Sequence, residues 1–451
     1  MKKSTMDLTQ GNIAKQIIIF ALPILLGQIF QNLYNSVDSI VVGNYVGKTA
    51  LAAVTSSADI SQLLVGFFTG LSTGSGVLFS RYFGAKDAKN LHEAIHTAIT
   101  FAIILGVIMA AVGIIISPFL LKIVDCPDDV YGEALQYLRV YLVGVLFTSM
   151  YNVASGVLRA VGDSRHPFYY LVIASCTNIL LDLLLVVVLK MGVTGVALAT
   201  VISQLLSVSL AFHNMMTTSD VHKLVLKDLH INGKLLKEVL TLGLPAAIQS
   251  CLVSFSNLFV QRYINEFGSA AMAGTGAAKK IDKYAGMVAQ CLGLSITTFI
   301  SQNVGAKRYD RAFKGIRVVM LMGFIAVAAF GIPIFFFADS FMHLFSRDPE
   351  VVEYGVGMIT VMIPLYYIQT LHQIFSNSVR GFGKSTVIMV ISVIGLICCR
   401  QIFLAVSMAI NHTIVNVFWA YPVGWFCSAL LSFCYYYFTI RRPYNKAHAK
   451  A

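Results

Sequence analysis

Charged residues are scarce in this sequence, and it lacks the cysteine patterns that indicate a redox or metal site. Only 12% of the residues are charged, whereas soluble globular proteins carry about 25%. The eight cysteines include no Cys-x-x-Cys pair, so we predict neither a disulfide framework nor a cysteine zinc site. No signal peptide is predicted, because the first apolar segment runs through Pro23 into glutamines and asparagines without a small-residue cleavage site. These shortages argue against the usual soluble and secreted classes.

Long apolar runs take the place of the missing charge. Hydrophobic residues make up 57% of the chain. Runs such as 103–116, 171–191 and 318–338 approach the roughly 20 residues that a bilayer-spanning helix needs. Counting such runs predicts about twelve spans. The expected fold is therefore an all-α polytopic membrane protein.

The net charge is +12, and the basic residues of the loops fall mainly on one side of the predicted membrane. When the loops are assigned alternately to the two sides, one side collects nearly every Lys and Arg. The other side keeps only Lys48, Lys122, Lys190 and Arg347. This asymmetry predicts a multi-pass plasma-membrane protein with both termini in the cytoplasm. Contact with anionic lipid of the bilayer accounts for the positive charge, so no nucleic-acid partner is expected.

The chain consists of two diverged copies of one half. Leu22-Pro23 has a counterpart about 220 residues later in Leu244-Pro245, and Gly84-Ala85-Lys86 has one in Gly305-Ala306-Lys307. Six spans per copy predict two parallel six-helix bundles in a monomer, with the substrate path between them. The predicted limits are 1–216 for the N-terminal bundle, 217–238 for a cytoplasmic linker, 239–440 for the C-terminal bundle and 441–451 for a basic cytoplasmic tail.

Two motifs resemble enzyme signatures. The segment from His92 through Glu93 to His96 fits the H-E-x-x-H zinc motif, which an intramembrane metalloprotease would use. The sequence offers no convincing third ligand, so we expect no zinc and no enzyme, and the protease is the less favoured alternative. The segment from Gly70 to Gly74 fits a nucleophile elbow, but that chemistry needs a strand-to-helix turn. Its glycines are typical of a stripe for close helix packing.

Few acidic residues fall inside the predicted spans, and two of them occur at matching depth. At 1.5 Å per residue, Asp38 lies roughly 10 Å and Asp182 roughly 12 Å from the outer ends of their spans. Thr200 is also roughly 12 Å deep, and Asn178 shares the helix face of Asp182 one turn away. We expect these four residues to meet in the outer half of the N-terminal bundle.

Two carboxylates out of water cannot both ionise cheaply, so such a pair should take up a proton or a cation such as Na⁺. An ion-coupling site needs this property, and it requires no further cofactor. A competing structural interpretation is that both acids only hydrogen-bond to asparagines and orient helices. The cost of a carboxylate inside a membrane favours the functional interpretation.

The polar residues of the second copy are mainly basic. Asp282 lies within one turn of Lys279 and Lys283, and we expect it to pair with one of them. Lys280 is interpreted either as a gate or counter-charge to substrate, or as a side chain that snorkels to the outer surface. Lys280, Asp282 and His372 are candidate residues of the substrate cavity.

Longer motifs follow particular spans in both copies. Asn35–Gly43 (NSVDSIVVG) ends span 1, Val157–Asp163 (VLRAVGD) follows span 4, and Ser378–Lys384 (SVRGFGK) follows span 10. Together with the twelve spans, the Leu-Pro openings and the Gly-Ala-Lys segments, they resemble the multidrug and toxic compound extrusion (MATE) family, of the multi-antimicrobial extrusion type. The resemblance covers essentially the whole chain.

The resemblance implies secondary antiport, in which organic cations or other amphipathic drugs leave the cytoplasm as H⁺ or Na⁺ enters. One branch of the family uses an aspartate of span 1, an asparagine and an aspartate of span 5 and a threonine of span 6. These correspond here to Asp38, Asn178, Asp182 and Thr200. That branch also implies that Gln31 and Tyr137 line the same cavity, to which we assign Asn35 as well.

Two further expectations concern span 1 and spans 7 and 10. Pro23 is expected to let the first helix bend as Asp38 is neutralised. Another branch of the family uses acids on spans 7 and 10, where this sequence has Ser and Asn residues with His372 and Gln373, which argues against a C-terminal cation site. A lipid-linked saccharide flippase of a related fold is the alternative function, and the few basic residues of the first half count against it.

Overall fold

The structure, a computed structural model, describes residues 5–123 and 126–448. It does not describe the side chains at positions 35, 38–40, 44, 48, 49, 51, 55, 56, 58, 59 and 448. Within these limits it contains 12 helices that are long and apolar enough to cross a membrane, which confirms the predicted number of spans. Helices suit this environment because they satisfy every backbone hydrogen bond within one segment.

The first half contains α1 (Ile13–Tyr45), α2 (Lys48–Gly84), α3 (Ala88–Ile123), α4 (Asp128–Ala160), α5 (Arg165–Asp182) and α6 (Gly192–Thr217). A π-helical turn, Leu183–Val188, continues α5. The second half contains α7 (Gly233–Asn265), α8 (Ser269–Gly305), α9 (Tyr309–Phe336), the short α10 (Ala338–His343), α11 (Pro349–Met362), α12 (Tyr366–Gly381), α13 (Ser385–Ser392), α14 (Arg400–Ile410), α15 (Ile414–Tyr435) and α16 (Arg442–His448). The π-helical segment Val393–Cys399 joins α13 to α14 in one span.

The chain forms two compact units whose limits differ from the predicted bundle limits. Unit 1 contains Leu22–Ala247 and the residues up to Asp7, whereas unit 2 contains Leu8–Ala21 and the chain from Ile248 onward. The division therefore passes through α1 beside Pro23 and through α7 beside Pro245. A proline inside a helix leaves the carbonyl four residues earlier without its usual donor. Each unit thus includes the first part of the other half's opening helix.

Glycines allow close packing inside unit 1. A Cβ atom at Gly70 would lie 2.5 Å from the carbonyl oxygen of Ala246, and one at Gly74 would lie 2.2 Å from that of Leu242. Both distances are far below van der Waals contact, so only glycine fits between α2 and the first part of α7. The predicted small-residue stripe is therefore confirmed at these two positions, as expected for helices packed in lipid.

Large apolar side chains cover the outer faces of both units. Examples are Ile115 of α3, Phe336 of α9 and Ile410 of α14, each of which is at least three-quarters exposed. In water such faces would be an aggregation hazard. In a bilayer they contact lipid tails, which is consistent with the predicted membrane environment.

Candidate functional site

Two polar side chains lie buried in the last turns of α5. Asn178 is 3% exposed and Asp182 is 1% exposed, and their four-residue spacing places them on one helix face. Asp182 is the last residue of α5, immediately before the π-helical turn Leu183–Val188. Single π-turns within α-helices occur frequently at functional sites. Asp182, which the sequence singles out on span 5, is therefore buried beside a π-turn, and its ion-coupling role stays a prediction.

Neighbouring helices place further predicted residues around this face. α6 packs against both α5 and α4, and these helices carry Thr200 and Tyr137. Val42 of α1, Tyr137 of α4 and Val186, one turn beyond Asp182, belong to one buried cluster. Residues of α1, α4, α6 and the π-turn after α5 thus share one buried cluster, and the meeting of Thr200 with Asp182 stays a prediction.

The hydrogen bonds of these residues show what the site can accept. The hydroxyl of Thr200 donates to the carbonyl oxygen of Val196 at 3.2 Å, which leaves its lone pairs available. Among the described residues, neither amide atom of Asn178 has a hydrogen-bond partner. Buried amides are almost always satisfied. A carboxylate, an amide oxygen and a hydroxyl are suitable ligands for a hard cation, and the carboxylate can equally take a proton.

The predicted residues of α1 are only partly described. The side chains of Asp38 and Asn35 lie outside the described residues, so their roles stay predictions. Gln31 is half-buried. Pro23 lies inside α1, which continues as one helix from Ile13 to Tyr45.

The basic half requires one correction. No ion pair within 4 Å joins Asp282 to Lys279 or Lys283, although Lys279 acts on its carboxylate electrostatically. Instead, the ammonium of Lys279 donates to the side-chain oxygen of Gln261 on α7 at 2.6 Å. The sequence favoured a neighbour on the same helix, but the nearer acceptor comes from another helix.

The remaining candidates of the second half lie in different surroundings. Lys280 is exposed, and its ammonium lies 5.9 Å from the ring centre of Phe345 in the loop after α10. This position agrees with the snorkelling interpretation. His372 is buried in α12, where its Nδ1 lies 3.3 Å from the hydroxyl of Ser376. Their predicted role in a substrate cavity stays a prediction.

The H-E-x-x-H residues anchor the linker between the two halves, residues 218–232. His96 donates through Nδ1 to the carbonyl of His92 at 2.7 Å and accepts at Nε2 from the backbone N–H of Val225 at 2.9 Å. Glu93 accepts from the amide of Asn232 at 2.9 Å. The motif thus has a structural role that sequence reasoning missed.

The structure also supplies a third potential metal ligand, for which the sequence offered no convincing candidate. Asp228 of the linker lies 3.1 Å from Nε2 of His92, and one ligand atom each of His92, His96 and Asp228 lie within 4.8 Å of one another. A metal would need the lone pair of His96, which already accepts the N–H of Val225. The geometry therefore favours linker anchoring over zinc binding. Asp228 was missed because 136 residues separate it from His92.

Comparison with known proteins identifies relatives along nearly the whole chain. The chain is 28% identical over 449 residues to the "Probable multidrug resistance protein YoeA" of Bacillus subtilis strain 168, which covers 97% of this chain and 96% of the relative. It is 23% identical over 379 residues to the "Multidrug export protein MepA" of Staphylococcus aureus strain MSSA476, with 84% of each chain covered.

Solved structures show the same fold. A structure described as the outward-facing conformation of a multidrug resistance MATE family transporter superposes with a TM-score of 0.89 at 21% identity and covers 96% of this chain and 97% of that one. A MOP superfamily transporter from Pyrococcus furiosus Vc1 superposes with a TM-score of 0.87 at 21% identity and the same coverage.

The MatE family model matches the chain twice, at residues 23–184 and 245–406. The two matched segments begin at the prolines of the two Leu-Pro pairs, as the internal repeat predicted. Together they account for more than half of the chain. This multi-pass membrane protein belongs to the MATE family.

Proposed function

We propose that this protein is an ion-coupled efflux antiporter that exports organic cations and other amphipathic drugs in exchange for H⁺ or Na⁺. Family membership and the multidrug resistance and export names of the relatives support export of drugs. The observation that carries the proposal is the buried pair of Asn178 and Asp182 beside a π-turn within a span. Holding an acid in such a place costs free energy, so its presence there indicates a function.

The coupling follows from the cost of holding charge away from water. Ionised Asp182 needs a compensating charge, and a proton or Na⁺ can supply it. Asp38, the second acid, would share that charge, so uptake of one ion changes the state of both carboxylates. An ion that binds the outward-open and inward-open states with different affinity shifts the equilibrium between them. Substrate release outward and ion release inward then alternate.

The test is transport in vesicles loaded with drug, with a proton gradient and a sodium gradient imposed separately. We expect Asp38→Asn and Asp182→Asn each to abolish gradient-driven efflux, since an amide keeps the shape of the side chain but cannot be ionised. Asp129→Asn is the matched control, because Asp129 is an exposed acid in the first turn of α4. Full gradient-dependent efflux by Asp38→Asn and Asp182→Asn would show that the coupling proposal is wrong.

The two gradients also identify the coupling ion. Efflux driven by the proton gradient alone would assign H⁺, and efflux driven by the sodium gradient alone would assign Na⁺. Both ions suit a carboxylate with amide and hydroxyl neighbours, so the ligands by themselves favour neither.

A further inference from the structure

Unit 2 contains a buried arginine near the middle of its membrane span. Arg400 is 4% exposed and lies ten residues before the end of α14, which is about 15 Å along the helix. A span crosses a hydrocarbon core about 30 Å thick, so its guanidinium is far from both surfaces. Arginine cannot lose its proton in a protein, so it carries a permanent charge here.

The neighbours of Arg400 satisfy hydrogen bonds without balancing that charge. Its Nη1 donates to the amide oxygen of Asn257 at 3.0 Å, and its Nη2 donates to the hydroxyl of Ser256. Tyr421 of α15 lies beside the guanidinium, with its ring centre 5.5 Å from the Cζ atom. None of the described carboxylates lies within 4 Å of Arg400. Its Nε–H is buried and has no partner among the described residues.

The charge balance of unit 2 leaves Arg400 without a counter-ion. Asp282 is the one carboxylate that the described part of this unit holds away from the ends of its spans. Asp282 does not lie within 4 Å of Arg400, and Lys279, one turn away on the same helix, already acts on its carboxylate electrostatically. A neutral side chain could join α14 to α7 through Ser256 and Asn257 without the cost of a charge in the membrane. A permanent cation at this place therefore indicates a ligand that brings a negative charge.

The surroundings indicate where that ligand enters and what kind it is. Asn257 is exposed and its hydrogen bond with Nη1 is only partly buried, so this edge is the part of the guanidinium that a ligand would approach. The buried Trp425 packs behind Tyr421, with its ring centre 6.4 Å from that of Tyr421 and 5.6 Å from that of Tyr366. Aromatic walls favour flat apolar bodies, and a guanidinium matches carboxylate and phosphate-like groups bidentately.

We propose that Arg400, with Asn257 and the ring of Tyr421, binds the acidic group of an aromatic organic anion or zwitterion. The ligand class thus extends beyond the organic cations of the proposed antiport. That such a compound is also transported rests on the proposed function. Its binding to Arg400 is independent of any gradient.

Fluorescence of purified protein tests the binding directly, because the chain has only two tryptophans and the ring of Trp425 packs against Tyr421 of the proposed site. In a Trp419→Phe background we expect para-nitrobenzoate, a nitroaromatic quencher, to quench Trp425 in a saturable way. The neutral para-nitrobenzamide and the cationic para-nitrobenzyltrimethylammonium should quench it without saturation. Equal quenching by all three probes would show partition into detergent and overturn the proposal.

Two variants and a control assign the charge that is responsible. Arg400→Gln should weaken the apparent affinity for para-nitrobenzoate at least about tenfold. Asn257→Asp should do the same, because it places a carboxylate on Nη1 while it keeps the bond between α14 and α7. Arg262→Gln, which removes an exposed arginine at the end of α7, should leave the affinity unchanged.

Asn257→Asp decides the question even if Arg400→Gln does not fold. If Arg400 had only a structural role, Asn257→Asp would fold and would bind para-nitrobenzoate as tightly as the parent protein does. That result would overturn the proposal. Loss of gradient-driven efflux in Asp182→Asn, with anion binding intact, would separate the anion site from the coupling site.

Discussion

Gly74 leaves no room for any side chain where α2 meets α7. The atoms that an added Cβ would meet are the carbonyl oxygen of Leu242 at 2.2 Å and the Cα atom of Gly243 at 2.6 Å. Both belong to backbone, so they cannot rotate away. We expect Gly74→Val to lower the free energy of unfolding by about 3 kcal/mol or more, measured as a lower melting temperature in detergent.

Gly276 is the control for that prediction, because no atom lies within 4 Å of its added Cβ. Gly276→Ala should leave the stability unchanged or raise it by up to about 1 kcal/mol, since alanine is the better helix former. Similar melting temperatures for the two variants would contradict the close packing of α2 against α7.

His222 of the linker should make stability depend on pH. It is buried, and neither ring nitrogen has a hydrogen-bond partner among the described residues. Burial lowers the pKa of His222 below its usual value of 6.5. Below about pH 6.5 the unfolded chain therefore binds a proton that the folded chain refuses, so stability falls as the pH falls towards the folded pKa.

Melting temperatures at pH 7.5 and 5.5 measure this effect. We expect the decrease on acidification to be smaller in His222→Gln than in the parent protein, whereas His412→Gln, which removes an exposed histidine, should not reduce it. Equal decreases in the parent protein and His222→Gln would show that His222 does not titrate as its burial requires.

At the scale of the element, α1 belongs partly to each unit and also carries Asp38, the predicted coupling acid. It passes from unit 2 to unit 1 between Ala21 and Leu22, and Pro23 follows directly. Pro23→Ala restores the missing donor to the helix and should make it stiffer and at least as stable. We expect drug efflux to decrease while protein levels stay the same, measured in the vesicle assay.

Pro245→Ala in α7 is the matched control for this helix. Pro245 occupies the equivalent position in the half whose opening helix lacks the acid. We expect it to affect efflux less than Pro23→Ala does. Unchanged efflux in Pro23→Ala would remove the proposal that α1 bends during transport.

The linker is an element that the sequence describes poorly. Its 218–232 segment looks like a polar loop, yet His96, Thr97 and Glu93 of α3 hold it at Val225 and Asn232. Tyr82 of α2 donates to Glu238 at 2.7 Å just beyond it. The residues that join the halves in sequence are thus fastened to unit 1.

At the scale of the whole molecule, the distribution of basic residues predicts how the chain crosses the membrane. Both termini should be cytoplasmic, and the loop that carries Arg347 should be outside. We expect an epitope tag after the last residue to bind antibody only in permeabilised cells. A tag inserted beside Arg347 should bind it in intact cells. The opposite labelling pattern would reverse the predicted orientation.

The two units differ in the charged groups that they bury. Unit 1 buries Asp182 and Asn178, whereas unit 2 buries Arg400. The proposed coupling ion therefore belongs to the first unit, and the proposed acidic ligand belongs to the second. This division follows from one acid-bearing and one basic copy of the same repeat.

The sequence alone determined the number of spans, the internal repeat, the glycine stripe and the position of Asp182. Lipid imposes these features locally, because an apolar run of sufficient length must form a helix and a buried acid is costly wherever it stands. The expected pairing of Asp282 was wrong for the complementary reason. Periodicity shows the neighbours on one helix but not the acceptor that another helix brings, here Gln261 for Lys279.

Only the tertiary structure decided which distant residues meet. It placed the first part of α7 against the glycines of α2, the linker against His96, and Ser256 and Asn257 against Arg400. The members of these contact pairs are between 129 and 176 residues apart in the chain. Their contacts depend on helix packing, which no local pattern of residue types encodes. The carboxyl of Asp182 could be found from the sequence, whereas the isolation of the charge on Arg400 could not.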